Sequence, residues 1–133
     1  MLWNDGRGVM NTSRTNVKKV IITGATGTIG LALISLLTEN NVEVMVVCHR
    51  ESRRRNRIPS SPYVKVVECN LNELEQLEAK LDRDYDVFYH FGWEGTVGDS
   101  RNDVNAQLKN VEYTLAALEL AHKIGCRKFI GAG

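Results

Sequence analysis

The 133-residue sequence carries almost no excess of charge, with 17 Lys and Arg against 16 Asp and Glu and a net charge of +1. Bulk electrostatics therefore imply neither a nucleic-acid nor a membrane partner. Long apolar runs are missing as well. None approaches the roughly 20 residues that span a bilayer, and the N-terminus has no signal-peptide core, so a cytoplasmic protein is expected. Cysteine is scarce, and Cys48, Cys69 and Cys126 lack metal-type spacing. Each stands at or beside an expected strand, which points to buried reduced thiols rather than a disulfide framework or a metal site. No Gly-Lys-Ser/Thr follows the glycine-rich stretch, which excludes a triphosphatase phosphate loop. What remains is a hydrophobic fraction of 43%, enough for one real core in a chain of this length.

The informative stretch is Val20 to Gly30, an apolar run that breaks into glycines at 24, 27 and 30 and reopens at helical spacing with Leu33, Ile34, Leu36 and Leu37. A strand, a tight turn and a helix in that order are what a nucleotide-binding βαβ unit requires. The glycines have separate tasks: Gly24 turns the chain, Gly27 leaves room for a pyrophosphate, and Gly30 lets the helix pack close to the strand. Unpaired amides at the helix start, aided by the helix dipole, then face the phosphates. The candidate contacts there are Gly24, Thr26, Gly27, Thr28, Ile29 and Gly30.

Met1 to Asn16 is polar and without periodicity, so residues 1–16 read as a flexible leader and 17–133 as the domain. Val17 to Thr23 is the first strand. Ile29, Leu33, Leu36 and Leu37 mark the buried stripe of the first helix, which ends at Asn40-Asn41, residues that tolerate a left-handed cap. Val42 to Cys48 is a nearly continuous apolar strand, the pattern of a parallel sheet covered on both faces. Tyr63 to Glu68 is the third strand, followed by a short helix with Leu71, Leu74, Leu77 and Leu81 on one face. Asp86 to Phe91 is the fourth. From Val104, the residues Val104, Leu108, Val111, Leu115, Leu118 and Ala121 give a helix of about six turns that stops at Gly125. Arg127 to Ile130 is the last strand.

Where the second strand ends, an acidic residue would bond free ribose hydroxyls and an arginine would accommodate a 2′-phosphate. No acid stands at Cys48 to Arg50. His49 and Arg50 are the candidate contacts, with Ser52 and Arg53 near enough to assist. NADP is therefore favoured over NAD, while Arg54, Arg55 and Arg57 read as solvated loop charges. Aromatic interleaving is absent from this basic stretch, which leaves little for nucleic acid to stack on.

The spacing Thr-Gly-x-x-Gly-x-x-Gly, present as TGATGTIG from Thr23 to Gly30, resembles the cofactor motif of the short-chain dehydrogenase/reductase superfamily. Its extended branch of sugar-nucleotide epimerases, dehydratases and reductases is the nearest in pattern. Three further points match in order. Asn70-Leu71 stands where the family has Asp-Leu or Asp-Val, whose acid accepts from the adenine amino group and whose apolar residue lies against the ring. Asn70 with Glu73 is equally a helix-capping pair. Asp86 to Trp93 resembles the family's acid, apolar residues, His, then x-Ala-Ala or x-Ala-Trp, which makes Phe91, Gly92 and Trp93 cofactor neighbours and leaves His90 structural. Asn110-Val111-Glu112-Tyr113-Thr114 resembles Asn-Val-x-Gly-Thr, in which Asn110 would steady the fourth strand and the active-site backbone. Gly95 to Asn102 would roof a substrate pocket.

The resemblance implies an α/β fold, a Rossmann-type doubly wound parallel sheet of strand order 3-2-1-4-5, truncated after the fifth strand, with an unpaired edge there. It also implies a nucleotide-sugar substrate for the full-length enzyme and a homodimer through the 104–124 helix, whose second apolar edge, Ala117 and Leu120, would seek a partner. The family's catalytic Ser or Thr and its Tyr-x-x-x-Lys are not found in these residues. The chain is thus expected to bind the dinucleotide without turnover. The alternative is a non-catalytic NADP-sensing or partner-binding module.

Overall fold

A computed structural model of the chain describes residues 2–4, 17–93 and 102–131. Strands run over Leu2–Asn4 (β1), Lys19–Thr23 (β2), Glu43–Cys48 (β3), Val64–Glu68 (β4), Val87–His90 (β5) and Lys128–Gly131 (β6). Two α-helices, Thr28–Glu39 (α1) and Val104–Lys123 (α2), and 3-10 segments at Arg55–Arg57 and Leu71–Lys80 connect them. The sheet order is β1-β6-β5-β2-β3-β4, and every pair is parallel except β1 with β6. Counted from β2, this is the expected order 3-2-1-4-5.

Alternation along each strand sends side chains to two cores, as a sheet covered on both faces requires. Ile21, Val47, Phe88 and Phe129 face α2 and the Leu71–Lys80 segment, which contributes Leu74 and Leu77. Val20, Ile22, Val44, Val46 and Val87 face α1, which contributes Ile34 and Leu37. Phe88 and Phe129 stack at 5.5 Å between ring centroids across β5 and β6. Each such buried ring contributes roughly 1.5–3 kcal/mol by leaving water. Asp86 ties three strand starts together. Its Oδ2 accepts from the Lys18 and Lys19 amides at 2.7 and 3.1 Å, and its Oδ1 pairs with Arg127 at 2.9 Å.

Several expectations require correction. Leu2–Asn4, expected to belong to a structureless leader, pair antiparallel with Lys128–Ile130, so the outer edge of β6 is paired rather than open. Residues 5–16, the rest of that leader, lie outside the described residues. On α1 the buried residues are Gly30, Ile34 and Leu37, whereas Ile29 and Leu36 are exposed. The close approach of Gly30 to Ala25 turns that face of the helix to the sheet. On α2 the stripe Val104, Leu108, Val111 and Leu115 is exposed, and Asn110, Ala117, Leu120 and Ala121 are buried. Ala117 and Leu120 therefore belong to the chain's own core and not to an outward edge. The segment after β4 is 3-10 helix interrupted at Glu73 (φ −125°, ψ 18°), and Asn70 makes no side-chain cap there, so the capping pair does not form. Asn41, at φ 59°, does end α1 in the left-handed conformation.

Candidate functional site

The carboxyl ends of β2, β3, β4 and β5 open onto one crevice of about 310 Å³. That volume is at the lower end of the ~300–1,000 Å³ range of cofactor sites. Its floor is the turn from Thr23 to Gly27, and its walls are Val47, Cys48, His49, Ser52 and Arg54 on one side and Leu71, Phe91, Gly92 and Trp93 on the other.

The turn has its shape because two of its glycines let backbone approach backbone. Gly24 adopts φ +68°, and a Cβ there would lie 2.4 Å from the carbonyl carbon of Phe91. A Cβ on Gly30 would lie 2.6 Å from both Cα and O of Ala25, so α1 presses directly on the turn. Gly27 differs from both, since a Cβ there would meet only the Gly24 oxygen at 3.9 Å. It faces the open crevice, and what its missing side chain spares is space above the turn.

Gly27 is also the N-cap of α1, with no side-chain cap and no acidic residue in the first turn. The first intrahelical bond runs from Leu31 N–H to the Gly27 carbonyl at 3.0 Å. The amides of Thr28, Ile29 and Gly30 are thus left to an external acceptor, with the positive end of the helix dipole behind them. An anion fits this arrangement.

A buried polar chain holds the opposite wall. Thr23 Oγ1 accepts from the Gly92 amide at 3.2 Å and lies 2.7 Å from His90 Nδ1. His90 is fully buried, and desolvation pulls its pKa down to about 4, so the ring is neutral at pH 7. Its Nε2 has no partner among the described residues, nor has the buried Trp93 Nε1. A Cβ on Gly92 would come within 2.8 Å of the Leu71 side chain, so the smallness of this residue lets the end of β5 lie against Leu71. Cys48, Cys69 and Cys126 are buried and unbridged, the first two along the crevice.

Of the residues singled out from the sequence, Gly24, Thr26, Gly27, His49, Leu71, Phe91, Gly92 and Trp93 line the crevice, with Thr28, Ile29 and Gly30 in the helix turn beside it. Arg50, Arg53, Asn70 and Asn110 are not among the lining residues. Arg50 pairs with Glu73 at 3.1 Å, and its amide donates to Asn70 Oδ1 at 3.3 Å, which engages the oxygen expected to meet an adenine. Asn110 is buried on α2, with its Nδ2 donating to Gln107 Oε1 at 3.1 Å. Arg54, read from the sequence as a solvated charge, is exposed and also borders the crevice. Its amide donates to Ser52 Oγ at 3.3 Å in a serine turn. Of Gly95 to Asn102, only Asn102 falls within the described residues.

The protein-family model described as "NAD dependent epimerase/dehydratase family" matches residues 20–133. Among solved structures, a UDP-galactose 4-epimerase is 28% identical with a TM-score of 0.68, the match covering 82% of this chain and 36% of that one. The Bordetella bronchiseptica enzyme WbmH, solved in complex with NAD+, is 26% identical with a TM-score of 0.64, covering 82% of this chain and 37% of that one. A wide-type short-chain dehydrogenase/reductase from Veillonella parvula, in complex with NADP, shares the fold at 20% identity and a TM-score of 0.55, covering 86% of this chain and 46% of that one. The chain thus spans less than half the length of these structures. No curated protein sequence matches it significantly. The glycine turn, the uncapped helix and the strand-end crevice are all inside the region that the family model covers, and the chain belongs to the NAD-dependent epimerase/dehydratase family.

Proposed function

We propose that these residues form the dinucleotide-binding portion of a sugar-nucleotide epimerase, dehydratase or reductase, and that they bind the cofactor without turning over substrate on their own. The observation that carries the reading is the uncapped, acid-free N-terminus of α1 facing an open crevice across Gly27. The diphosphate would rest on the amides from Thr26 to Gly30, and the two nucleoside halves would extend toward Leu71 on one side and toward Gly92 and Trp93 on the other. When bound, the nicotinamide supplies the hydride chemistry. The chain itself contributes binding, orientation and a dry wall.

NADP is the favoured cofactor. The described lining contains one arginine, Arg54, with Ser52 and His49 and no acidic residue. An anion-accepting ribose end of this kind suits a 2′-phosphate, and Arg54 takes the part that the strand-end position suggests for Arg50. The likeness to a UDP-galactose 4-epimerase supports a nucleotide-sugar as the substrate class of the whole enzyme.

Calorimetric titration of the chain with NADP and NAD tests the reading. Saturable binding of both, tighter for NADP and weakened by Arg54→Ala for NADP only, is expected. Absence of binding at millimolar cofactor would overturn it, and so would sugar-nucleotide turnover by the chain alone. The exposed stripe Val104, Leu108, Val111 and Leu115 favours a protein partner on α2, and a second copy of the chain is the proposed one.

A further inference from the structure

Five arginines lie between residues 50 and 57, yet the fold does not leave them equally free. Arg55 is held by Glu68, at the end of β4. Arg50 is held by Glu73, whose Oε2 and Oε1 lie 3.1 and 3.5 Å from the Arg50 Nη1. The Arg50 amide is drawn the same way by Asn70 Oδ1. Glu73 occupies the interruption in the 3-10 segment, and its Oε2 is buried without a well-directed hydrogen bond. One oxygen of this partly exposed carboxylate is thus shielded from water, and the cation that pairs with it is Arg50. Arg54 alone among these arginines lines the crevice.

We infer that Glu73 is a specificity-determining residue: by pairing with Arg50 it keeps a second guanidinium away from the ribose end of the crevice and so limits the preference for NADP over NAD. The inference rests on the dinucleotide-binding reading above. The physical logic is competition. A ribose 2′-phosphate and the Glu73 carboxylate are both anions suited to the same fork, and Arg50, on the loop that follows β3, serves whichever is nearer. NAD has no such phosphate, so its affinity is indifferent to the outcome.

The experiment is a double-mutant cycle read by calorimetry with NADP and NAD. Glu73→Gln is expected to tighten NADP by about fivefold, the scale of a partly exposed ion pair released to a new anion. Its NAD affinity should stay within about twofold, which is near the resolution of the cycle. Glu73→Ala, which removes the charge without adding an amide, should shift selectivity in the same direction. Arg50→Met alone should change neither cofactor appreciably. In the Glu73→Gln/Arg50→Met double variant the gain for NADP should vanish. An equal change for both cofactors would overturn the inference, because a merely structural role moves them together. A gain that survives loss of Arg50 would also overturn it, since removal of a repelling charge would then be sufficient cause. Absence of binding of either nucleotide to every variant would instead bring down the underlying reading.

Discussion

Gly27 and Gly30 stand three residues apart, one facing the crevice and one facing the turn, and replacing each by alanine separates binding from stability. At Gly30 the added methyl would sit 2.6 Å from two backbone atoms of Ala25 and 2.8 Å from a third. Ordinary carbon contacts are about 3.5–4.0 Å, so α1 must move by roughly 1 Å. No side chain can rotate to relieve the clash. Overpacking of this kind costs about 1–3 kcal/mol, and the backbone origin of the clash puts Gly30→Ala at the upper end. The better helix propensity of alanine offsets about 1 kcal/mol. A net loss of about 2 kcal/mol should lower the urea midpoint by about 1 M. At Gly27 the nearest atom to the methyl is 3.9 Å away and the backbone is extended at φ −78° and ψ 172°, so nothing in the fold resists the change. The loss of a good N-cap and the reduced unfolded-state entropy nearly cancel, leaving stability within about 0.5 kcal/mol. The methyl would stand where the proposed site receives a diphosphate, so affinity for NADP should fall about 10- to 100-fold. Urea denaturation and calorimetric titration of both variants decide the matter. A Gly27→Ala protein that binds NADP as tightly as the parent would refute the cradle. A Gly30→Ala protein of unchanged midpoint would refute the packing argument.

Three other outcomes are expected. His90 has a pKa lowered to about 4 by burial, below its ordinary 6.5, so its neutral form stabilises the fold fully above pH 6.5. That contribution, about 3 kcal/mol at most, should drain away as pH falls from 6.5 toward 4, and urea midpoints across this range should slope less in His90→Gln. Thr23→Val removes the acceptor of the Gly92 amide and the partner of His90 Nδ1. It should cost about 2–3 kcal/mol in denaturation because buried polar groups are left unpaired, and an unaltered midpoint would contradict the assignment. On α2, Leu108 and Leu115 are each 57% exposed, so changing both to lysine should leave the melting temperature within a few degrees while abolishing concentration-dependent self-association in sedimentation. Association that persists unchanged would move the partner surface elsewhere.

Much of the site could be read before any coordinates. The tasks given to Gly24 and Gly30 follow from the strand-turn-helix pattern, because backbone contacts within one βαβ unit are local. Gly92 and Leu71 were placed on the crevice by their match to the family's motifs, and the strand ends of the parallel sheet do bring them to one edge. Arg50 and Arg54 show where that reasoning stops. Which arginines are held in ion pairs depends on Glu73 and Glu68, carboxylates 23 and 13 residues beyond their partners, Arg50 and Arg55. Sequence spacing contains no information about that pairing. The edge of β6 was misjudged for a related reason. Leu2–Asn4 meets it across more than a hundred residues of chain, and three residues are too few to show a strand period.

By itself, then, the sequence determined the alternation of strands and helices, the glycine turn and the polarity of the crevice, since each depends on neighbours a few residues apart. Only the tertiary structure decided which face of α2 is buried. Its apolar residues occupy two stripes, Ala117 with Leu120 and Val104 with Leu115, and periodicity reveals both without ranking them. The buried stripe is the one whose Ala117, Leu120 and Ala121 join the core cluster of Phe88 on β5 and Phe129 on β6. The same structure decided which guanidinium remains available to an anion, because ion pairs form between side chains that the fold, and not the chain order, brings within 4 Å.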